Sequence, residues 1–515
     1  MNKIIRTLFA IMMIYILIVL CFVDTFVKYQ TRVENKLLNI VILAIGILLV
    51  FLIKQLFIKK NVKIIFSNQQ YKRILLFGTI VLLSLQIFLI YQIYFYAGWD
   101  CRIVTIASDA IAKNNLVGTT KLYMDNYYSM YPNNLAITFV FSHLLSLFYK
   151  MGITNGYFAL ICVGVCIIDI TALMVARITR RMIGSYNYGI LAWVLYSLYI
   201  GMSPWIVVPY SDVYGIIFPV LIVLIYQSIE ERKEETNILR WLFLALTMGI
   251  GVLVKPTVAI VFIAIGLVYI INVFLKKISI KRFVIIILTI STGFGISIGC
   301  KNIVQRDMMQ YITIDSEKSM GMPHFMMMGL NTIHTGCYLK EDKEFSLSYS
   351  TKKQRNQANL REMGRRFQNF GVVGYGKFFI KKTLVNYNSG ILGWGSEGQF
   401  IDRKSAHKTG NFTMFLRNIY YMEGQYFGVY ATMCQFTWLF ILVSMLFAVK
   451  YKGATSEINL YHVFLLTVIG ITMFTLLFEA RARYLYIYVP LYIILSCVGV
   501  RQYCMNIKER VGKSE

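Results

Sequence analysis

Asp100 is a carboxylate placed where it could do chemistry at a membrane surface. It lies in a mostly polar stretch, residues 98–134, that follows directly on the long apolar segment 71–96. A carboxylate at such a depth is costly if it faces lipid, and it usually lines a cavity or a site. There it could act as a general base that deprotonates a hydroxyl group. The alternative is that Asp100 only caps a helix or ends the apolar segment.

Three basic residues have the chemistry to bind a phosphate group, because Arg can form two parallel hydrogen bonds to phosphate and Lys can act as a point charge. Arg481 and Arg483 lie between the last two apolar segments. Lys255 precedes Pro256, and proline disfavours helix at the residue before it, so we expect Lys255 at a break between two apolar helices. A lysine there is costly without an anionic partner. The alternatives are that Lys255 extends to the membrane surface and that the arginines anchor lipid head groups or set the orientation.

Four other polar residues could bind an acceptor or support such a site. These candidates are Asp125, Tyr131, Asp212 and Glu479.

The sequence shows no motif for a metal or other cofactor. Nine cysteines are present without a Cys-x-x-Cys pair or a histidine at metal-ligand spacing, and the stretch after Asp100 contains no Asp-x-Asp. No metal or other cofactor is therefore predicted, with a divalent metal kept as the alternative.

The composition is that of a membrane protein. Of the 515 residues, 57% are hydrophobic and only 15% are charged, whereas about a quarter are charged in soluble proteins. Long apolar runs without alternation exclude a transmembrane barrel, so the sequence predicts an all-α integral membrane protein with about 12 spans. Residues 134–149 are fewer than the roughly 20 that a span needs. We expect a re-entrant or surface helix there, and 13 spans if this segment crosses.

The charge pattern sets the orientation. The net charge is +27, but Lys and Arg occur in short clusters between apolar runs and not in one stripe, so nucleic acid is not a predicted partner. Such clusters mark the cytoplasmic side. The clusters at 54–73, 276–282 and 508–510 therefore put both termini in the cytoplasm and residues 98–134 outside.

Four regions follow from this topology. Together they place the candidate ionisable residues at one depth on the outer face. The regions are an N-terminal helix pair with a basic cytoplasmic loop (1–73), a transmembrane module containing the outer loop 98–134 (74–300), a polar extracytoplasmic cap with one amphipathic helix near 356–370 (301–427), and the C-terminal transmembrane helices with a cytoplasmic tail (428–515).

The order of several motifs resembles a known family, the polyprenyl-phosphate-sugar-dependent membrane glycosyltransferases of the GT-C superfamily. This family includes the protein O-mannosyltransferases and the lipid A aminoarabinose transferases. The resemblance covers roughly residues 74–300 and 428–503 and is looser in the cap. It rests on Asp100 in the first outer loop, Tyr131-Pro132 before the next apolar segment, PYSDV at 209–213, LVKPT at 253–257 and FEARARYLYIYVP at 478–490.

The resemblance implies a role for each candidate. Asp100 would be the catalytic base, and Lys255, Arg481 and Arg483 would hold the phosphate of the lipid donor. Relatives often carry Lys-Pro-Pro where this chain has Tyr131, Pro132 and Asn133, so the contacts made at that point do not carry over.

The implied activity is transfer of a sugar from a polyprenyl-phosphate-linked donor to a cell-surface glycan, teichoic acid, lipid or protein. The expected partners are this donor, membrane lipids and the extracytoplasmic acceptor, at a bacterial plasma membrane with the active site outside. One alternative is a lipid-linked oligosaccharide flippase or other transporter, which predicts charged sites near the membrane midplane. Asp169, inside an apolar segment, is either a second functional carboxylate or part of an interhelical pair. The other alternative is a polysaccharide polymerase or ligase.

Overall fold

The chain is described by a computed structural model over residues 2–23, 39–48, 65–232, 238–276, 278–395, 410–453 and 455–511. Within these ranges the regular structure is helical, without a strand. The helices are α1 (Asn2–Phe22), α2 (described over Asn39–Leu48), α3 (Asn68–Ile93), α4 (Trp99–Ala112), α5 (Gly118–Met130), α6 (Leu135–Lys150), α7 (Gly156–Ile183), α8 (Tyr186–Tyr196), α9 (Ser211–Gly215), α10 (Ile217–Arg232), α11 (Ile238–Val254), α12 (Ala259–Phe274), α13 (Ile280–Met308), α14 (Met322–Met328), α15 (Lys340–Leu347), α16 (Lys352–Tyr387), α17 (Asn411–Tyr420), α18 (Phe427–Phe447), α19 (Thr455–Leu477) and α20 (Val489–Val511).

Nine helical segments of the described ranges are long and apolar enough to cross a membrane. This confirms the prediction of an all-α integral membrane protein. The count of 12 or 13 spans stays a prediction, since the second predicted span and the basic cluster after it lie mostly outside the described residues. The nine segments are Lys3–Phe22, Asn68–Ile93, Gly156–Ile183, Ser211–Glu231, Pro256–Phe274, Ile280–Met308, Phe427–Lys450, Glu457–Leu477 and Ala482–Met505.

Helix α20 is the centre of the helical bundle. Its residues from Leu491 to Val498 are almost completely buried on all sides, as expected for a helix that is apolar all round. It packs against α7, α8 and α18. The turn that precedes α20 carries two of the predicted phosphate-binding arginines, so the most buried helix of the bundle anchors them.

The polar stretch after α3 folds into two helices. α3 ends at Ile93, and Gly98 is the N-cap of α4, so Asp100 falls in the first turn of α4. A carboxylate is favoured there by the helix dipole. After α5, Pro132 begins a short helical turn that leads into α6. The predicted outer loop 98–134 is therefore an ordered pair of helices, and α6 forms over the segment whose crossing was left open.

The predicted cap contains both surface and core structure. Helix α16 includes the predicted amphipathic segment 356–370 and breaks at Gly371, which has a φ of 58°. Beyond the break the helix enters the bundle, where the Tyr387 hydroxyl bonds Thr472 of α19 at 2.5 Å and Tyr492 of α20 at 3.0 Å. Trp394, slightly further along, is fully buried. Part of the region 301–427 thus supports the transmembrane helices directly.

Candidate functional site

Asp100 stands at one end of a chain of hydrogen bonds. The Tyr127 hydroxyl donates to Asp100 Oδ1 at 2.9 Å, and Asn134 Nδ2 donates to the Tyr127 oxygen at 2.6 Å. The Tyr210 hydroxyl in turn donates to Asn134 Oδ1 at 3.2 Å. α5, the turn before α6 and the segment before α9 therefore combine to orient one carboxylate of α4.

The environment of Asp100 favours a proton acceptor over a helix cap. Gly98, not Asp100, occupies the N-cap position. Burial raises the pKa of Asp100, while the hydrogen bond from Tyr127 and the positive charge of Arg483 oppose that rise. A carboxylate with a raised pKa accepts a proton more readily than an ordinary aspartate, which suits a general base.

A second group joins Asp212, Lys255 and Arg483, and all three side chains are buried. Lys255 Nζ bonds Asp212 Oδ1, and Arg483 Nη1 lies 3.7 Å from Asp212 Oδ2. Asp212 is in the first turn of α9, and Lys255 occupies the predicted break between α11 and α12. Asp212 is thus the anionic partner that makes a lysine at this depth tolerable.

The helix break at Lys255 is held in place by the helical turn that leads into α20. The Tyr488 hydroxyl, in the helical turn Ala482–Tyr488, bonds the carbonyl of Thr257 just after the break. Pro256 leaves the Lys255 backbone extended, with φ −149° and ψ 110°. The three buried charges are therefore fixed by backbone features of separate helices that meet at one point.

Glu479 and Arg481 form the third group. Arg481 Nε donates to Glu479 Oε1 at 3.1 Å, and the Tyr484 hydroxyl donates to Glu479 Oε2 at 2.6 Å. The Lys255 ammonium lies 5.7 Å from the centre of the Tyr484 ring. Tyr484 thus connects the Glu479 pair to the buried group around Lys255.

Trp99 connects Asp100 to Arg483. The Arg483 guanidinium carbon lies 4.1 Å from the centre of the Trp99 ring, and the Trp99 ring packs edge-on against Tyr210 with centroids 4.7 Å apart. Trp99 has a φ of 47°, an uncommon conformation for a bulky residue. Such strain is often found at functional sites, and here it places the residue before Asp100 under the cation of Arg483.

Tyr131 and Tyr338 lie near the carboxylates. Burial raises the pKa of Tyr131, and the nearby charges of Asp100 and Glu479 add to the rise. Tyr338 comes from the predicted cap and is partly exposed, and the same two carboxylates raise its pKa after the larger effect of burial. The cap therefore contributes an aromatic side chain to the rim of the site.

Asp125 is bound to the cap and not to the charged groups just described. Its carboxylate accepts hydrogen bonds from Lys121 at 2.9 Å and from the backbone N–H of Thr313 at 2.8 Å. Asp109 is also engaged elsewhere, with Lys113 Nζ at 2.8 Å and with the Tyr149 hydroxyl. Asp125 fits a supporting role, since it fixes α5 to the following cap segment.

The site brings three carboxylates to three cations, within aromatic walls. Sequence reasoning found the charged residues, whereas most of the aromatic and amide partners were missed. Their signal was weak, because tyrosine and tryptophan at the ends of apolar segments also settle at membrane surfaces. In the described part of the chain, no three His, Cys, Asp or Glu side chains come together as a metal site. The missed residues are Trp99, Tyr127, Asn134, Tyr210, Tyr338 and Tyr484.

Two comparisons bear on identity. A family model described as "conserved hypothetical integral membrane protein" matches residues 1–503. No curated protein matches the chain.

Proposed function

The chain belongs to the family of conserved hypothetical integral membrane proteins, and we propose its function from the charged groups around Asp100. The protein transfers a sugar from a polyprenyl-phosphate-linked donor to an acceptor hydroxyl. The acceptor is a cell-surface glycan, teichoic acid, lipid or protein, and the reaction takes place on the outer face of a bacterial plasma membrane.

One observation carries this proposal. Asp100 accepts a hydrogen bond from Tyr127, and burial raises its pKa. The positive charge of nearby Arg483 lowers that pKa in part. A base beside a cluster of phosphate-binding cations is what glycosyl transfer from a lipid phosphate needs. The base removes a proton from the acceptor, and the cations stabilise the leaving phosphate.

The proposed reaction moves one proton and exchanges one bond at the sugar. Asp100 takes the proton of the acceptor hydroxyl, whose oxygen forms a bond to the anomeric carbon of the sugar. The bond from that carbon to the phosphate oxygen breaks, and the electron pair leaves with the phosphate. Lys255, Arg481 and Arg483 then face a group of growing negative charge, which preorganised cations stabilise strongly in a site shielded from water.

The carboxylates paired with these cations have a clear part in this scheme. Asp212 holds Lys255 and Arg483, and Glu479 holds Arg481, in fixed positions before the donor arrives. Fixed cations need no reorganisation during the reaction. The polyprenyl tail would lie between the helices, and the cap, which supplies Tyr338, would shape the acceptor pocket.

The proposal is tested by transfer of labelled sugar from a panel of polyprenyl-phosphate sugars, in membranes that contain the full-length chain and candidate acceptors. Asp100→Asn keeps the size of the side chain and removes the base, so transfer should fall by about 100-fold or more. The matched control is Asp109→Asn, on the same helix but bonded to Lys113 and Tyr149, which should retain activity. Equal activity of Asp100→Asn and wild type at equal protein level would reject Asp100 as the base.

One feature favours a transporter as the second candidate. Asp169 is 4% exposed within α7, beside Gln86 of α3. Ionisable residues inside spans often mark transport pathways. If no donor supports transfer by the wild type with acceptors present, and Asp169→Asn abolishes movement of a labelled lipid-linked oligosaccharide across vesicles, the transporter replaces the enzyme.

A further inference from the structure

Helix α16 turns a sharp corner at Gly371. The backbone there has a φ of 58° and a ψ of 175°, a combination that is essentially confined to glycine. The Phe370 and Phe378 rings pack across the corner with centroids 4.8 Å apart, although eight residues of a straight helix extend about 12 Å. Tyr375 also contacts Phe367, with ring centroids 4.3 Å apart. The backbone and the aromatic contacts together fix the direction of the second half of α16.

Two valines project from the corner. Val372 is 93% exposed and Val373 is 73% exposed, and within the described ranges Val372 exceeds every other large apolar side chain. Lys377, four residues after Val373 and therefore on the same face of the helix, is exposed as well. Phe378, the next residue, is buried, so the exposed face is turned away from the bundle. Grouped apolar side chains with such exposure mark an interaction surface.

The depth of the corner follows from the contacts that the second half of α16 makes with two candidate spans. Its Tyr387 hydroxyl bonds Thr472, five residues before α19 ends, so this half descends from the corner into the bundle. The Tyr15 hydroxyl bonds Thr383 at 3.1 Å, and Tyr15 precedes the end of α1 by seven residues, or about 10 Å. Val373 precedes Thr383 by ten residues, which extend about 15 Å at most. Val373 therefore lies no more than about 5 Å beyond the end of α1.

The end of α1 marks the edge of the hydrocarbon layer. The candidate span Lys3–Phe22 has 20 residues, or about 30 Å, which matches the thickness of that layer, and the head groups occupy about 5–7 Å beyond it. The valines thus lie at the level of the head groups. The side chain of a helical lysine extends towards the N-terminus of its helix. The stem of Lys377 therefore runs outward along the valines, and its ammonium group reaches the same level.

The charge of this surface selects the lipid. The sequence contains no acidic residue between Glu362 and Glu397, so the charge of Lys377 is not offset by a carboxylate nearby along the helix. Basic residues next to a bilayer attract lipids with net negative charge.

We propose that the corner of α16 inserts into the head-group layer of the leaflet on the Asp100 side. Val372 and Val373 contact the lipid there, and Lys377 binds the phosphate of an anionic phospholipid. This anchor does not depend on the transfer reaction. It fixes the height of the second half of α16, whose Lys382 bonds the carbonyl of Phe478 just before Glu479.

The test places a spin label on the corner of the full-length chain in phosphatidylglycerol bilayers. The label is attached to Val373→Cys after the exposed thiols Cys166 and Cys504 are changed to serine. It should collide more with oxygen, which concentrates in lipid, and less with a neutral, water-soluble nickel chelate. The control is Lys340→Cys, at a cap position with 76% exposure. The ratio of oxygen to nickel collisions should be several times higher at the corner than at the control.

Two outcomes of this measurement overturn the proposal. A corner label with the same ratio as the control would lie in water. A corner label that neither reagent reaches would be covered by protein and not by lipid. Val372→Cys is the second label position if Val373→Cys does not fold, as judged by gel filtration, and the same outcomes apply to it.

A further arm tests the lysine. With Lys377 present, the corner label should be less accessible to the nickel chelate in phosphatidylglycerol than in phosphatidylcholine. Lys377→Gln should remove this difference. The control Arg365→Gln, which removes an arginine that is 63% exposed and paired with Glu362 in the cap, should leave it unchanged. Equal accessibility in the two lipids with Lys377 present would overturn the assignment of an anionic head group.

Discussion

At the scale of single residues, the candidate base depends on a neighbour that sequence reasoning missed. The Tyr127 hydroxyl accepts a hydrogen bond from Asn134 and donates its single proton to the carboxylate of Asp100. This hydrogen bond stabilises the ionised form of Asp100 against the effect of burial. Tyr127 should therefore control the pH at which the base becomes available.

Tyr127→Phe tests this control. The substitution removes an interaction that lowers the pKa of Asp100, so the pKa rises further above its ordinary value. In the proposed reaction, activity requires ionised Asp100 and is lost as the pH falls through that pKa. The acid limb of the kcat/KM profile should therefore move to higher pH in the variant. Tyr128→Phe is the control, because the Tyr128 hydroxyl bonds Thr138. Superimposable profiles for Tyr127→Phe and wild type would contradict the prediction.

The charged residues could be found from the sequence because charge is rare in apolar surroundings and costly there. Lys255 and Asp212 illustrate both the reach and the limit of that argument. The sequence indicated that Lys255 needs an anionic partner. However, 43 residues separate it from Asp212, so only the packing of the helices determines which carboxylate pairs with it. Trp99 was missed because its unusual backbone conformation has no signature in the sequence.

At the scale of elements, one lysine of α16 joins the cap to the site. The Lys382 ammonium is fully buried and donates to the carbonyls of Gly329 at 2.8 Å, Leu476 at 2.8 Å and Phe478 at 2.6 Å. Close by, the backbone N–H of Ala480 donates to a cap carbonyl, that of Gly336, at 2.8 Å. The residues on both sides of Glu479 are therefore held by the cap.

Lys382→Met tests this junction. Methionine has nearly the same length but no donor, so three carbonyls lose their partner. The loss costs about 1–3 kcal/mol at a buried carbonyl such as that of Gly329 unless water replaces the lysine. The variant should unfold at a lower temperature in detergent and lose transfer activity, since the Glu479 turn is no longer held. Lys381→Met, the exposed neighbour, should behave as wild type. A Lys382→Met protein with unchanged thermal unfolding would show that the junction contributes nothing.

The cap region shows why element boundaries are hard to derive from composition. Averaged over residues 301–427, polar residues dominate, and the prediction of one external unit follows from that average. The apolar part between Phe378 and Trp394 is short, yet it packs among α1, α18 and α19, where the Tyr15 hydroxyl bonds Thr383 at 3.1 Å and Trp438 Nε1 donates to the Tyr387 carbonyl at 2.8 Å. Only three-dimensional contacts reveal it.

At the scale of the whole molecule, the fold class follows from the apolar composition and the physical properties of a bilayer. Backbone polar groups must be satisfied internally in a bilayer, so long apolar segments without alternation can only be helices. The arrangement of those helices does not follow, because it depends on which side-chain surfaces fit together. The apolar residues all round α20 predict that this helix is buried, but they do not predict which helices surround it.

Orientation is the property of the whole molecule on which the proposed function depends most. The positive clusters predict that the cap and Asp100 face outward and that the C-terminal end of α20 faces the cytoplasm. If this is so, Lys340→Cys, at a cap position with 76% exposure, should react with a membrane-impermeant maleimide in intact cells. The native thiol of Cys504, exposed near the end of α20, should react only after the cells are permeabilised. The remaining exposed thiol, Cys166, lies within the candidate span α7 and should stay unlabelled. Labelling of Cys504 in intact cells, with Lys340→Cys protected, would invert the topology and place the sugar donor on the cytoplasmic side.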